Sequence, residues 1–259
     1  MRLLLPAFLV LFLLAGCDSA EEGIDIPFLP QDARYAYSVD NRIIETDSVL
    51  FSLDETARVR TISRNATVPG YEGLIELETD FSNLGTQRTW YERTPEQLRE
   101  VGYSLSGIGG AVQPRGVAVV SDVFAWPRIV TELGGRHRPV GRTGGEEDSV
   151  IVREEPRVVY EFPLEVGASW VSFSSLFLST REVVGRETIT VTAGTFDCFV
   201  IRTEVDVDFE EFEWLDYVSE EHGLVLRTME FVGEYFPEPG PDPGIPVRSV
   251  ERLELTSGG

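Results

Sequence analysis

The chain has 259 residues, 44 of them acidic and 22 basic, for a formal net charge of −22. Every basic residue is arginine, and lysine is absent. A surface of this sign repels phosphate backbones, which argues against a nucleic-acid partner, and dense carboxylates of this kind are normally a solvated face.

Arg2 is followed by an almost wholly apolar stretch from Leu3 to Leu14. It is too short to span a bilayer and long enough for the hydrophobic region of a signal peptide. Leu14-Ala15-Gly16-Cys17 then sets two small residues before a single thiol. All four positions resemble the bacterial lipoprotein signal, which implies cleavage after Gly16 and attachment of a diacylglyceryl group to Cys17. Residues 1–16 are therefore read as a signal peptide and 33–259 as one β domain. Between them, 17–32 reads as a flexible tether containing Glu21, Glu22, Pro27 and Pro30. The membrane is the partner implied by a lipidated Cys17, and the expected location is the cell envelope. Asp18 resembles an inner-membrane retention signal, while Ser19-Ala20-Glu21-Glu22 resembles a surface-export signal. The balance favours the outer membrane and leaves the face open.

Beyond the tether, short β-branched and aromatic stretches recur between turn signals: Arg34 to Val39, Val49 to Leu53, Ala57 to Ser63, Leu74 to Thr79, Arg88 to Arg93 and Val117 to Val120. Alternation such as Leu74-Ile75-Glu76-Leu77-Glu78 is the period-2 mark of a sheet with one wet face. Thr94-Pro95-Glu96-Gln97 carries the marks of a helix start, with a capping threonine and a proline in the first turn. It predicts a short helix ending near Val101 or Gly102.

Gly134 to Glu155 is glycine-rich and charged, which predicts a long exposed loop. Strand signals resume at Arg157 to Phe162, Ser169 to Phe173, Glu182 to Thr192, Phe196 to Val207, Glu213 to Ser219, Gly223 to Val232 and Val247 to Leu255. The proline-rich segment from Phe236 to Gly244 cannot supply ladder donors and reads as a loop. Strand follows strand with almost no helix between, so the fold class is all-β and mainly antiparallel. A strongly curved sheet or half-barrel with at most one or two short helices is expected.

One stretch carries more than alternation. Pro163-Leu164-Glu165-Val166-Gly167-Ala168-Ser169-Trp170 is followed by the run Val184 to Ile201, which contains Ala193-Gly194-Thr195-Phe196-Asp197-Cys198, and then by Trp214 and Gly223-Leu224-Val225. Across residues 158–230 these motifs resemble the TapB-like bacterial envelope proteins. Thr192 stands where that pattern has proline, and Tyr217 to His222 lacks its small turn. The resemblance implies a curved antiparallel sheet, similar in outline to lipoprotein-carrier folds, rather than an activity. Gly167 and Gly194 fall where the chain must reverse, at positions suited to positive φ.

The search for chemistry returns little. Cys198 lies in the β-rich run Thr195 to Ile201, and with Cys17 committed to lipid it has no disulfide partner in the chain. His137 and His222 are the only histidines, so Cys198 is expected to be a small buried hydrophobe rather than a nucleophile. Asp206, Asp208 and Glu210 alternate and could share one strand face as a weak calcium site, but nothing matches a glycine-bearing calcium loop. No metal, cofactor or catalytic group is therefore expected. His137, with Arg136, Arg138 and Arg142, forms a small basic island in a loop. The chain is expected to be non-enzymatic, binding a hydrophobic envelope ligand in an apolar groove lined by Trp90, Tyr91, Phe124, Trp126, Phe173 and Phe177. The alternative is a structural or assembly accessory whose loops contact another envelope protein.

Overall fold

The computed structural model describes residues 28–30, 32–82, 85–106, 119–122, 126–129, 150–174, 178–207, 210–235 and 245–258. Its strands are β1 (Asp32–Ile43), β2 (Val49–Val68), β3 (Tyr71–Phe81), β4 (Gly85–Arg93), β5 (Gln97–Ser106), β6 (Val119–Asp122), β7 (Trp126–Ile129), β8 (Ile151–Glu161), β9 (Ser169–Phe173), β10 (Leu178–Val191), β11 (Gly194–Val207), β12 (Glu210–Ser219), β13 (Gly223–Tyr235) and β14 (Ile245–Gly258). Twelve of them form one antiparallel sheet in the order β8-β5-β4-β3-β2-β1-β14-β13-β12-β11-β10-β9, and β6 pairs with β7 alone. The fold is all-β, as the alternation predicts, and no helix occurs among the described residues.

The sheet curls until its two edges meet. β8 and β9 share no ladder; side chains bridge them instead. Trp170 Nε1 and Ser172 Oγ donate to the Val158 carbonyl at 3.3 and 2.8 Å, and Arg181 Nη1 donates to the Val159 carbonyl at 2.9 Å. The result is a nearly closed, barrel-like sheet with one face turned inward. Along β1 the inward face reads Ala33, Tyr35, Tyr37, Val39, Asn41, all buried, while the residues between them are exposed or half-buried. That is the period-2 pattern of a one-sided core.

The outward face explains the arginine-rich composition. Arg58 grips Asp32 with Nε and Nη2 at 2.9 and 2.8 Å, Arg88 Nε reaches Glu78 at 3.1 Å, and Arg248 Nε meets Glu230 at 2.7 Å. Each joins neighbouring strands through a planar guanidinium that lysine could not match.

Three sequence expectations are corrected here. Thr94 does cap, its Oγ1 accepting from the Glu96 and Gln97 amides at 3.3 and 3.0 Å, but it closes a hairpin turn. Leu98 and Glu100 are then buried at strand spacing, with Leu98 paired to Arg93, so the residues after the cap form β5 rather than a helix. The expected exposed loop ends sooner than Glu155, because Ile151 begins β8 and pairs with Tyr103. The two strands expected at Val49 to Leu53 and Ala57 to Ser63 are one, since Asp54-Glu55-Thr56 stays in register with β1 and Glu55 faces inward opposite Tyr37.

Candidate functional site

The barrel has a lower end, where Asp32 enters β1 and the β12–β13 turn lies, and an upper end, where β1 passes to β2. Its lower end is plugged. Phe28 packs on Phe162, Tyr160 and Phe199 with ring centroids 5.2, 5.8 and 6.2 Å apart. Its amide donates to the Glu220 carbonyl at 2.8 Å. Gly223 is required beside it: φ is +71°, and a Cβ would stand 2.9 Å from the Phe28 carbonyl oxygen. Above the plug, Tyr35 donates to the Leu224 carbonyl at 2.9 Å, and burial raises its hydroxyl pKa.

The interior changes character toward the upper end. Arg227 of β13 forks onto Asp216 of β12, Nε to Oδ1 at 2.5 Å and Nη2 to Oδ2 at 3.0 Å, with both side chains almost wholly buried. Trp214 Nε1 donates to the same carboxylate at 3.3 Å, and Arg181 Nη2 lies 4.0 Å from it. Burial pulls the Arg181 guanidinium below its ordinary range. Burial acts downward on Arg227 as well, yet Asp216 outweighs it and holds that guanidinium above its ordinary range. Glu251 is buried against Tyr37, whose hydroxyl is pushed up first by burial and then by that carboxylate. Charges so enclosed persist only when paired and hydrogen-bonded.

Following the register, Glu251, Met229, Trp214, Thr203 and Arg181 form one row across β14 to β10. Asn41, Ser249 and Ser179 stand two residues further up their strands, and Asn41 pairs directly with Ser249. Asn41, Thr203 and Ser179 are 0% exposed and Ser249 1%. Both amide atoms of Asn41 and the hydroxyls of Ser249, Thr203 and Ser179 find no hydrogen-bond partner among the described residues. Leaving such a group unsatisfied costs about 1–3 kcal/mol. This polar upper interior is the candidate site.

Of the expected groove residues, three have described side chains: Trp90, Tyr91 and Phe173. Trp90 and Tyr91 point to opposite faces of β4: Tyr91 joins the main core, while Trp90 packs with Val68, Leu74 and Val101 in a second cluster. Phe173 is buried opposite Ser179. Trp126 opens β7 opposite Asp122, and its side chain lies outside the described residues, as do Cys17, Phe124, Phe177 and the basic island at His137. Asp206 is the next-to-last residue of β11 and Glu210 opens the antiparallel β12, so the expected run of alternate acids does not share one strand; Asp208 lies outside the described residues. No group of three or more His, Cys, Asp or Glu placed to hold a metal occurs among the described residues. A separate cleft of about 550 Å³ at the lower end is lined by Thr195, Phe196, Asp197, Ser219, Glu220, Glu221 and His222, with His222 edge-on to Phe196 at 5.0 Å.

Sequence reasoning passed over Arg181, Asp216, Arg227 and Glu251. The signal was present: Arg227 shares its strand face with Val225 and Met229, and Asp216 shares its face with Trp214 and Val218, all buried. A charge at an inward position of an otherwise apolar face marks a buried network.

A family model described as DUF3108-like matches residues 171–229, spanning β9 to β13. Among solved structures, the chain is similar to a candidate lipoprotein of Parabacteroides distasonis at 12% identity and a TM-score of 0.33, covering 89% of this chain and 97% of that one. It is also similar to a candidate exported protein with a YmcC-like fold from Bacteroides fragilis at 11% identity and a TM-score of 0.35, covering 90% and 98%. No curated protein matches the chain.

Proposed function

We propose that this chain is a lipid-anchored, non-enzymatic protein of the bacterial cell envelope that holds a ligand inside its barrel. The observation carrying the proposal is the lower plug: Phe28 and Leu29 bring the chain into the barrel at its apolar, closed end. A tether from Cys17 therefore attaches at the end away from the polar interior. The TapB-like affiliation belongs to this proposal and rests on the motifs of residues 158–230, a stretch that includes the DUF3108-like match. Cys17→Ser is the test of the anchor. Two acyl chains, at about 0.8 kcal/mol per buried CH₂, hold a protein firmly to a membrane, so the variant is expected to leave the membrane fraction, and its retention there would sink the proposal. Density-gradient separation of the two membranes reports which one holds the protein, with the outer membrane expected, and protease shaving of intact cells reports the face.

An apolar ligand, the class expected from the aromatic content, is tested by titrating the chain with a polarity-sensitive apolar dye and comparing the parent with Trp126→Ala and Phe177→Ala. Saturable binding weakened by either change supports that class. A second reading, contact with another envelope protein, is favoured by apolar side chains exposed toward the upper end: Ile44 (48%), Val49 (55%) and Val232 (61%). Crosslinking from these positions in intact cells would capture such a neighbour.

A further inference from the structure

We propose that the cleft at the lower end docks an extended, basic segment of a partner polypeptide, which adds as a short strand to the free edge of β11. The inference goes beyond the ligand-binding reading and does not depend on it. It begins with a mismatch in strand lengths. β11 pairs with β10 from Asp206 down to Gly194, but its pairing with β12 stops at Phe199, opposite Val218. Residues 194–198 therefore have β10 on one side and, among the described residues, no strand on the other. Past that point β12 turns into β13 through Glu220, Glu221 and His222, and the space between the turn and the β11 edge is the cleft of about 550 Å³. It is open to solvent along the exposed Thr195, Asp197, Glu220 and Glu221.

The edge is pinned from its far side. The Thr190 and Thr195 hydroxyls stand 2.9 Å apart, and Thr188 Oγ1 donates to Asp197 Oδ1 at 2.6 Å, so β10 holds β11 in place. Phe196, from the alternate face, packs on the core and meets His222 edge-on. Five residues at about 3.3 Å each make a short strand, and the N–H and C=O groups along such an edge template another chain. β8, an outer strand of the same sheet, carries Pro156, which has no donor to give, whereas residues 194–198 contain no proline.

Charge selects the occupant. Elsewhere on the sheet, Asp32, Glu182 and Glu230 are each met by an arginine of a neighbouring strand. Asp197, Glu220 and Glu221 line the cleft and no arginine does. The chain's own tether carries Asp18, Glu21, Glu22 and Asp25, and a second copy brings a net charge of −22, so both are repelled. A basic segment of another protein is the complementary occupant. An added strand turns alternate side chains to opposite faces, so basic and apolar residues in alternation set their cations toward the Asp197 face and their apolar side chains toward Phe196.

The test uses the full chain in a zwitterionic detergent and the labelled peptide Arg-Val-Arg-Val-Arg, read by fluorescence anisotropy. Glu-Val-Glu-Val-Glu and Arg-Pro-Arg-Pro-Arg serve as parallel peptides, the second equal in charge but lacking two ladder donors, and spermine as a competitor. Saturable binding of the first peptide is expected, about fivefold or more weaker for the double variant Glu220→Gln/Glu221→Gln and for the proline peptide. Hydrogen exchange in residues 194–198 is expected to slow in the complex. The peptide comparison on the parent keeps the test alive should the variant not fold. The inference is overturned if the first peptide does not bind, if either parallel peptide binds as well, if spermine displaces it as effectively as unlabelled peptide does, or if binding ignores the double substitution. A dimer of the parent in sedimentation that the double substitution dissociates would make a second copy the occupant, and would overturn it too.

Discussion

The two ends of one barrel solve the same problem in opposite ways. The lower interior is closed by Phe28 and Leu29 against Tyr160 and Phe199, and its main buried polar group, the Tyr35 hydroxyl, is satisfied by the Leu224 carbonyl. The upper interior encloses Arg181, Asp216, Arg227 and Glu251, and around them lie neutral groups that find no hydrogen-bond partner among the described residues. Burial of aromatic and aliphatic area suffices for stability, so a fold needing only that would have repeated the lower solution. The upper end carries a desolvation penalty that packing alone does not require.

The largest expected effect breaks the charged half of that contrast. Arg227→Met fills a similar volume but leaves Asp216 buried, with Arg181 4.0 Å away and the Trp214 indole donating to it. Stranding a buried charge in this way costs about 3–5 kcal/mol, a large part of the stability of an ordinary domain. Urea titration should show a much lower midpoint, with Arg227→Lys recovering only part of it, because an ammonium cannot reproduce the two-point fork. An unchanged midpoint for Arg227→Met would mean that the network contributes nothing to the fold.

A smaller effect tests the plug. Phe28 contacts three rings but enters from one end of the sheet and belongs to no strand, so Phe28→Ala is expected to cost about 3 kcal/mol, at the low end for a buried phenylalanine. Hydrogen exchange should then accelerate near Gly223 and Glu220 before it does at the β1–β14 pairing. Uniform acceleration would show that the lower end is no separate unit of stability.

What could be read from the sequence was whatever rests on local alternation. The strand at Arg34 to Val39, the reversals at Gly167 and Gly194, with φ of 92° and 144°, and burial of Cys198 needed only period-2 patterning and glycine's freedom. Thr94 misled because a threonine cap is the same local object in a helix and in a turn, and only the partner strand decides. The polar interior was hidden for a different reason. Asn41, Ser249, Thr203 and Ser179 come from four strands spread over more than 200 residues, and the β1–β14 pairing that sets Asn41 opposite Ser249 is a long-range fact that no window of sequence contains. The aromatic stretch Trp90-Tyr91 suggested one surface, yet adjacent strand positions must face apart.

The smallest effect sharpens the apolar half. Cys198 is 2% exposed and belongs to the main core; its Sγ is 3.8 Å from the Phe196 carbonyl oxygen, and burial pushes its thiol up to about 12 from an ordinary 9.0. Cys198→Ala should cost about 1 kcal/mol, as for loss of a small side chain from a packed site. The pH dependence follows from the direction of the shift. The folded thiol holds its proton where the unfolded one releases it, so its contribution is complete below pH 9.0 and is lost progressively as pH rises toward 12. Tyr35 and Tyr160, also raised by burial from 10.0, add to the same alkaline loss. Stability of the parent measured from pH 8 to 11 should therefore fall, and the Cys198→Ala curve should fall less steeply, leaving the tyrosine part. Parallel curves for the two proteins, or rapid modification of native Cys198 by a thiol reagent at pH 8, would place the thiol in contact with water and remove it from the core.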